Sequence, residues 1–229
     1  MTTTARSSVN LAIGLDAADL LRAQGYRVVV SRTSDTTVVR LTPADVSGNL
    51  LSVVGVHDDV AARDVCANLA KADAFAGIYM DAGASSSNAG SVTLYDTARP
   101  FAVSNRQLAT LLQRDVLSAM SAQAWQIPDD GVLPDSGYGS SVGDPSAGGL
   151  AALAASYDHL MLIGPPLAGF LTTPSQMPGA VIEPLYLTDP YESSIAADPA
   201  DQQVIANGIA TAVEQYLAPA PTTPTSAGS

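Results

Sequence analysis

Glu183 stands in the run GAVIEPLYL, residues 179–187, where a carboxylate interrupts an otherwise apolar strand. Burying that charge costs several kcal/mol unless something compensates. The residue is therefore either a proton-transferring group or a buried hydrogen-bonding one. A second place of chemical interest is AFAGIYMDAG, residues 74–83, an apolar run that leaves into a small-residue loop and carries Tyr79 and Asp81. A hydrolytic metal centre needs about three protein ligands and one open position, and imidazoles are scarce here. His57, in GVHDD, could join Asp58 or Asp59, but reads more simply as a polar-loop histidine. His159 opens the run HLMLIGP and reads as a strand-start residue capped by Asp158 or Tyr157, because strand starts lie opposite the active edge of a parallel sheet. Asp81 alone is a solvated loop carboxylate. Trp125 could stack on a sugar, yet one Trp at a helix end is ordinarily packing.

These groups must be held by alternating helices and strands. SSVNLAIGLDAADLLRAQGY carries an apolar stripe at Leu11, Leu15, Ala18 and Leu21, with Ser7 or Ser8 to cap it and Gly25 to end it. YRVVVSR, AFAGIYM, GSVTLYD, HLMLIGP and GAVIEPLYL read as strands, and residues 40–58 as a surface excursion. VAARDVCANLAKA, SNRQLATLLQRDVLSAMSAQ and DPADQQVIANGIATAVEQYL read as helices, the last with Asp198 as cap and Pro199 at its first position. Residues 126–149 read as loop, and GYGSSVGDPSAGG as a mobile flap that resembles no phosphate loop. Strands fully apolar on both sides suit a parallel sheet covered on both faces. The fold class expected is α/β, a single domain with a mainly parallel twisted sheet and helices on both faces, over residues 1–217. The Pro/Thr/Ser tail 218–229 has nothing to bury and is expected to be disordered.

The 229 residues carry a net charge of −12, which disfavours nucleic acid and anionic membrane surfaces as partners. No apolar run reaches the roughly 20 residues that span a bilayer. The opening MTTTARSSVN shows no signal peptide, so the chain by itself gives no location. Cys66, the only cysteine, excludes an intrachain disulfide and reads as a small buried hydrophobe.

Three blocks in order resemble the zinc-dependent N-acetylmuramoyl-L-alanine amidases of the Amidase_3 type. VNLAIGLDAADLLRAQGYRVVVSRTSD resembles N-L-x-I-A, L-L, G-Y-x-V and T-R-x-x-D. ARDVCANLAKADAFAGIYMDAG resembles R-x-x-x-A-N-x-x-x-A-D-x-F-x-S-I-H-x-N-A, with Arg63 and Asn68 in place to hold helix to sheet. MPGAVIEPLYLTDPYE resembles P-x-V-L-V-E-x-G-F-x-S-N-x-x-E. The resemblance implies hydrolysis of the muramoyl–alanine amide of peptidoglycan by zinc held on two histidines and a glutamate, with a further glutamate as general base and acid. It also implies a cell-wall or extracellular setting.

Carried over residue by residue, the catalytic glutamate corresponds to Glu183. Tyr79 replaces the second histidine, Arg6 stands at the ligand glutamate, and the strand bearing the first histidine has no counterpart. A phenol is a poor zinc ligand and a guanidinium none. The expectation is thus a chain without bound metal, catalytically impaired or inactive: a pseudoenzyme with Glu183 as relic catalyst and Tyr79, Arg6 and Asp81 around its pocket. Glu183 is expected to form an ion pair with Arg6. Two alternatives stand beside it. One is a non-catalytic peptidoglycan- or muropeptide-binding or regulatory protein. The other is an active zinc amidase with an incomplete N-terminus and ligands relocated to His57, Asp81 or His159.

Overall fold

The computed structural model describes residues 6–138 and 150–218. The tail and most of the Gly-rich segment expected as a flap lie outside the described residues. Helix α1 (Arg6–Ala23) forms where Val9, Ile13, Ala17 and Leu21, four residues apart, make one buried stripe. Gly25, at φ +90°, turns the chain out of it. Residues 26–30 then run without regular secondary structure. The YRVVVSR segment belongs to no ladder, unlike the strand its composition predicts.

Within the surface excursion lie a 3-10 turn (Pro43–Asp45) and a minimal antiparallel hairpin of β1 (Val46–Ser47) and β2 (Leu50–Leu51). Helix α2 (Val53–Ala70) begins at Ser52, whose hydroxyl accepts the Gly55 amide at 3.2 Å. Its last turn is tied down by Asn68, which donates to Pro174 O at 3.0 Å and accepts from Gln176 N at 2.8 Å.

Strands β3 (Phe75–Ile78), β4 (Ser91–Tyr95), β5 (Asp129–Pro134) and β6 (Gly179–Glu183) form one sheet in the order β3-β6-β4-β5. β3 runs parallel to β6 and β4 parallel to β5, but β4 is antiparallel to β6. Strand β5 falls in the region that reads as loop. HLMLIGP, expected as a strand, is a turn instead.

Side chains alternate across the sheet as strand geometry requires. Ala180 and Ile182 face the core shared by α1, α3 (Ala102–Ala122) and α6 (Pro199–Leu217), whereas Val181, Val92 and Leu94 face the opposite side. Helices α4 (Leu150–Ser156) and α5 (Pro190–Ala197) complete the chain. Asp198 caps α6 by accepting Ala200 N at 2.8 Å, with Pro199 at the first position as the sequence indicates. The architecture is a single α/β domain with a mixed, mostly parallel four-stranded sheet flanked by helices. Among the described residues no helix is long and apolar enough to cross a membrane.

Candidate functional site

The reversal of β4 and β5 relative to β6 gives the sheet two chemically distinct rims. Glu183 pairs in register with Val92, at the start of β4, and Phe75 pairs with Gly179. Asp96, just past the end of β4, therefore lies at the Phe75/Gly179 level. That is four residues from Glu183, or about 13 Å along the strands.

At the first rim, Asp81 follows β3 and forms an isolated parallel bridge to Tyr186, beyond β6. Its backbone N–H donates to Leu185 O at 2.9 Å. This seats the Asp81 carboxyl against Glu183. Burial, then the neighbouring Asp81 charge and its hydrogen bond, push Glu183 up to about 7, and Arg6 pulls it down less strongly through space. The expected Arg6–Glu183 ion pair is not formed among the described residues. The glutamate finds another carboxyl, which favours a shared proton. Tyr186 and Tyr138 line the same electronegative rim, and burial and the acids raise both phenols. Glu192, 1% exposed, braces this rim by accepting Gly90 N at 2.8 Å and Tyr186 N at 2.6 Å. Tyr79 donates its amide to Ile182 O, and its ring packs with Val60 and Phe75 on the α2 side. Asp81 is thus a partner of Glu183 rather than a solvated loop residue.

At the opposite rim, Asp96, Asp135 and His159 converge, with one ligand-type atom of each within 4.8 Å of the others. Both carboxylates are fully buried. Asp96 Oδ1 accepts Ala98 N at 2.9 Å and Arg99 N at 2.7 Å, closing the turn after β4. Asp135 Oδ2 accepts Leu160 N at 3.1 Å. Each acid thereby commits one oxygen to the backbone and presents the other to the imidazole. His159 Nδ1 lies 3.1 Å from Asp96 Oδ2 and 3.2 Å from Asp135 Oδ1. Burial and the nearby Asp96 push the Asp135 carboxyl up to about 6. The Asp96 oxygen that faces the cluster is buried and accepts no well-aligned hydrogen bond.

Two carboxylate oxygens and one imidazole nitrogen, converging on an under-satisfied buried oxygen, fit a divalent metal with three protein ligands. This overturns the expectation of a chain that holds no metal. Loss at Arg6 and Tyr79 does not leave the protein without a ligand set, and the inference of an inactive pseudoenzyme, which rested on that loss, falls with it. His159, read as a strand-start residue away from the active edge, is the imidazole of this set. The misreading came from assuming a parallel sheet. The other relocation candidates go elsewhere: Asp81 pairs with Glu183, and His57, on α2 rather than in a loop, bridges Asp58 at 2.7 Å and Phe170 O, in the segment before β6, at 2.7 Å. A buried Asp immediately after the apolar strand SVTLY was the available clue, but its partners lie 39 and 63 residues downstream.

Other singled-out residues are structural. Arg63 pairs with Asp59 at 2.6 Å and Trp125 packs at the edge of the main core. Cys66 is half-buried on α2.

Solved structures with this fold include the CwlD amidase of Clostridioides difficile in complex with the GerS lipoprotein, at 17% identity and TM-score 0.65, covering 94% of this chain and 87% of that one. The N-acetylmuramoyl-L-alanine amidase of Clostridium difficile 630 aligns at 22% identity and TM-score 0.61, over 94% and 86%. Ami1 of Mycobacterium smegmatis aligns at 18% and 0.61, over 92% and 76%. A comparison with curated proteins returns no match. The profile of the Amidase_3 family, described as N-acetylmuramoyl-L-alanine amidase, matches residues 2–215. With its segment order, sheet and helices in agreement, the chain belongs to the N-acetylmuramoyl-L-alanine amidase family.

Proposed function

We propose that this protein is a metal-dependent hydrolase of the amide between muramic acid and L-alanine in peptidoglycan, acting at the cell wall. The observation that carries this reading is the convergence of Asp96, Asp135 and His159 in a chain whose residues 2–215 match a peptidoglycan amidase family. A divalent metal in such a donor set supplies Lewis acidity toward water and an amide carbonyl.

The chain's own residues have separable tasks in this reading. Asp96 and Asp135 direct one oxygen each into the cluster, and the backbone amides on their other oxygens keep them from swinging away. His159 must present the unprotonated Nδ1 to a metal. At the other rim, roughly 13 Å away along the strands, Glu183 is raised to about 7. Proton transfer needs hydrogen-bond reach, so in this reading Glu183 does not act on the group that the metal polarises. Asp81 keeps the proton between the two carboxyls, with Arg6 acting on the pair only through space.

The roughly 13 Å between the rims sets up a second reading, favoured by Glu183's raised proton affinity. Here the Glu183–Asp81 pair transfers the proton at the scissile amide, and the metal set holds the β4 and β5 ends in place. Hydrolysis of a muramoyl-L-alanyl peptide, followed by release of free amine, tests both. We expect turnover that is abolished by chelation and restored by Zn²⁺. Turnover unchanged after the protein is stripped to undetectable metal supports the second reading. No amine release from intact sacculi or soluble muropeptides, with zinc bound, refutes both.

A further inference from the structure

The end of α3 and the start of β5 enclose a surface groove of about 450 Å³, within the range of about 300–1,000 Å³ that small-molecule sites occupy. Trp125, the only tryptophan of the chain, lines it together with Leu117 and Ile127. The indole packs on the edge of the main core and still borders the groove. Its backbone is fixed by the turn that ends α3. Ala124 donates to Ser121 O at 2.9 Å and Trp125 to Met120 O at 3.3 Å, and Ala124 takes the left-handed φ of +61°. This is a Schellman turn, which folds the residue after it back toward the last helical turn. Trp125 is thereby returned to Met120, on the groove's wall.

The polar groups of the groove are uncommitted. Asp129 Oδ1 accepts Gln113 Nε2 at 2.7 Å and Gly131 N at 2.9 Å, whereas Oδ2 receives no hydrogen bond among the described residues. Gln126 makes only a 3.5 Å contact, to Ala124 O. Ser121 adds an exposed hydroxyl.

The groove also borders the Glu183 rim. Asp129 pairs with Ser91, and the next residue of β4, Val92, pairs with Glu183. Two strand spacings, roughly 10 Å, thus separate Asp129 from Glu183. Asp130 turns away from α3: its carboxyl sits against Gly90, the residue whose amide Glu192 holds at the acidic rim.

We propose that this groove is a subsite for one neutral N-acetylhexosamine ring of a glycan strand, adjoining the Glu183 rim. A pyranose has an apolar face of C–H groups and hydroxyls around its edge. An aromatic ring suits the first, and a few placed acceptors and amides suit the second. Leu117 and Ile127 offer an apolar wall to the acetamido methyl, and the Gln126 amide matches the polar atoms of that group. Asp129 Oδ2 is a free acceptor for a hydroxyl. No Lys or Arg lines the groove, so a phosphate or carboxylate finds no partner there, and the Asp129 charge repels it. The identity of the sugar rests on the proposed peptidoglycan substrate, whereas the groove and its free groups do not depend on it.

The single tryptophan makes the test specific to one residue. The full chain is titrated with N,N′,N″-triacetylchitotriose while Trp125 emission is followed. Maltotriose serves as a sugar of equal length without acetamido groups. Chitotriose is expected to move the emission saturably to shorter wavelength, with maltotriose about tenfold weaker. Asp129→Asn keeps an oxygen for Gln113 and Gly131 but replaces the free acceptor with a donor. It should weaken chitotriose about fivefold, the scale of one lost hydrogen bond. If that variant does not fold, the contrast between the two sugars on the wild-type protein decides. Emission unaltered by chitotriose, an equal response to maltotriose, or undiminished affinity in folded Asp129→Asn overturns the proposal. Binding is read without turnover. Sugar binding without amine release removes the hydrolase reading and leaves the subsite; amine release with Trp125 silent does the reverse.

Discussion

The two rims of the sheet hold buried carboxylates in contrasting company. Glu183 meets a second acid, Asp81, with Arg6 only at a distance, and the result is a carboxyl whose proton affinity is raised to about 7. Asp96 and Asp135 meet backbone amides and an imidazole, and the result is a set of fixed oxygens aimed at His159. Burial raises both Glu183 and Asp135. What differs is the compensation. Glu183 has a second carboxyl as its strongest partner and retains a proton. Asp135 also has a carboxyl neighbour in Asp96, but His159 and the Leu160 amide pull it back down, and the backbone N–H groups leave the remaining oxygens with their direction set. One fold thus sets a protonatable carboxyl pair at one edge and a candidate metal set at the other.

The sharpest way to break this division is by substitution at each rim. His159→Ala should remove bound zinc, measured by elemental analysis, and lower muropeptide hydrolysis by a factor of a hundred or more. Glu183→Gln should leave the zinc content unchanged. Where the Glu183–Asp81 pair transfers the proton at the scissile amide it lowers hydrolysis roughly 10²–10⁴-fold, the range typical for loss of a general acid or base. Where the metal set is the catalytic edge it leaves hydrolysis nearly unchanged. Loss of zinc in Glu183→Gln would merge the two rims into one site and end the contrast drawn above.

A second comparison is between the rims and the core that separates them. Leu94 is fully buried between β5 and β6, and Leu94→Ala should cost about 2–5 kcal/mol in urea unfolding. That loss should leave the zinc content of the surviving folded fraction unchanged.

Proton affinity sharpens the distinction further. Burial pushes Asp64 to about 8 and Glu192 to about 7, beside Glu183 at about 7. These carboxyls bind protons more tightly folded than unfolded. Their contribution is fully present below about pH 4, and stability is lost as pH rises through 7 and 8. The melting temperature is expected to be several degrees higher at pH 5 than at pH 8, with Glu183→Gln flattening that slope. The smallest effect belongs to the periphery. Asp198→Ala removes the cap of α6 and should cost about 1 kcal/mol with hydrolysis unchanged.

Much of this was legible locally. Gly25 at positive φ and Asp198 at the start of α6 are effects of residue type within a turn or two. Helix α1 was legible as a helix, but its buried face runs through Val9, Ile13, Ala17, Ala18 and Leu21 and leaves out the expected Leu11 and Leu15. The start of α2 at Ser52 fell inside the stretch that reads as a surface excursion. The strands AFAGI, SVTLY and GAVIE announced themselves by composition, and Glu183 by its charge in an apolar run. The Asp81–Glu183 pairing was not legible, because it depends on a bridge between loops a hundred residues apart. YRVVVSR has a strand's composition yet lacks a ladder, since a strand exists only with a neighbour.

The sequence by itself determined the family, the four longest helices, three of the four sheet strands and the position of the acid on the late strand, all properties carried by short-range pattern. Only the tertiary structure decided that β4 and β5 run against β6. Strand direction comes from pairing between distant segments and leaves no periodic trace in the residues. That single reversal places Asp96, Asp135 and His159 at one edge, so the chain's candidate metal set is a product of topology rather than of any motif.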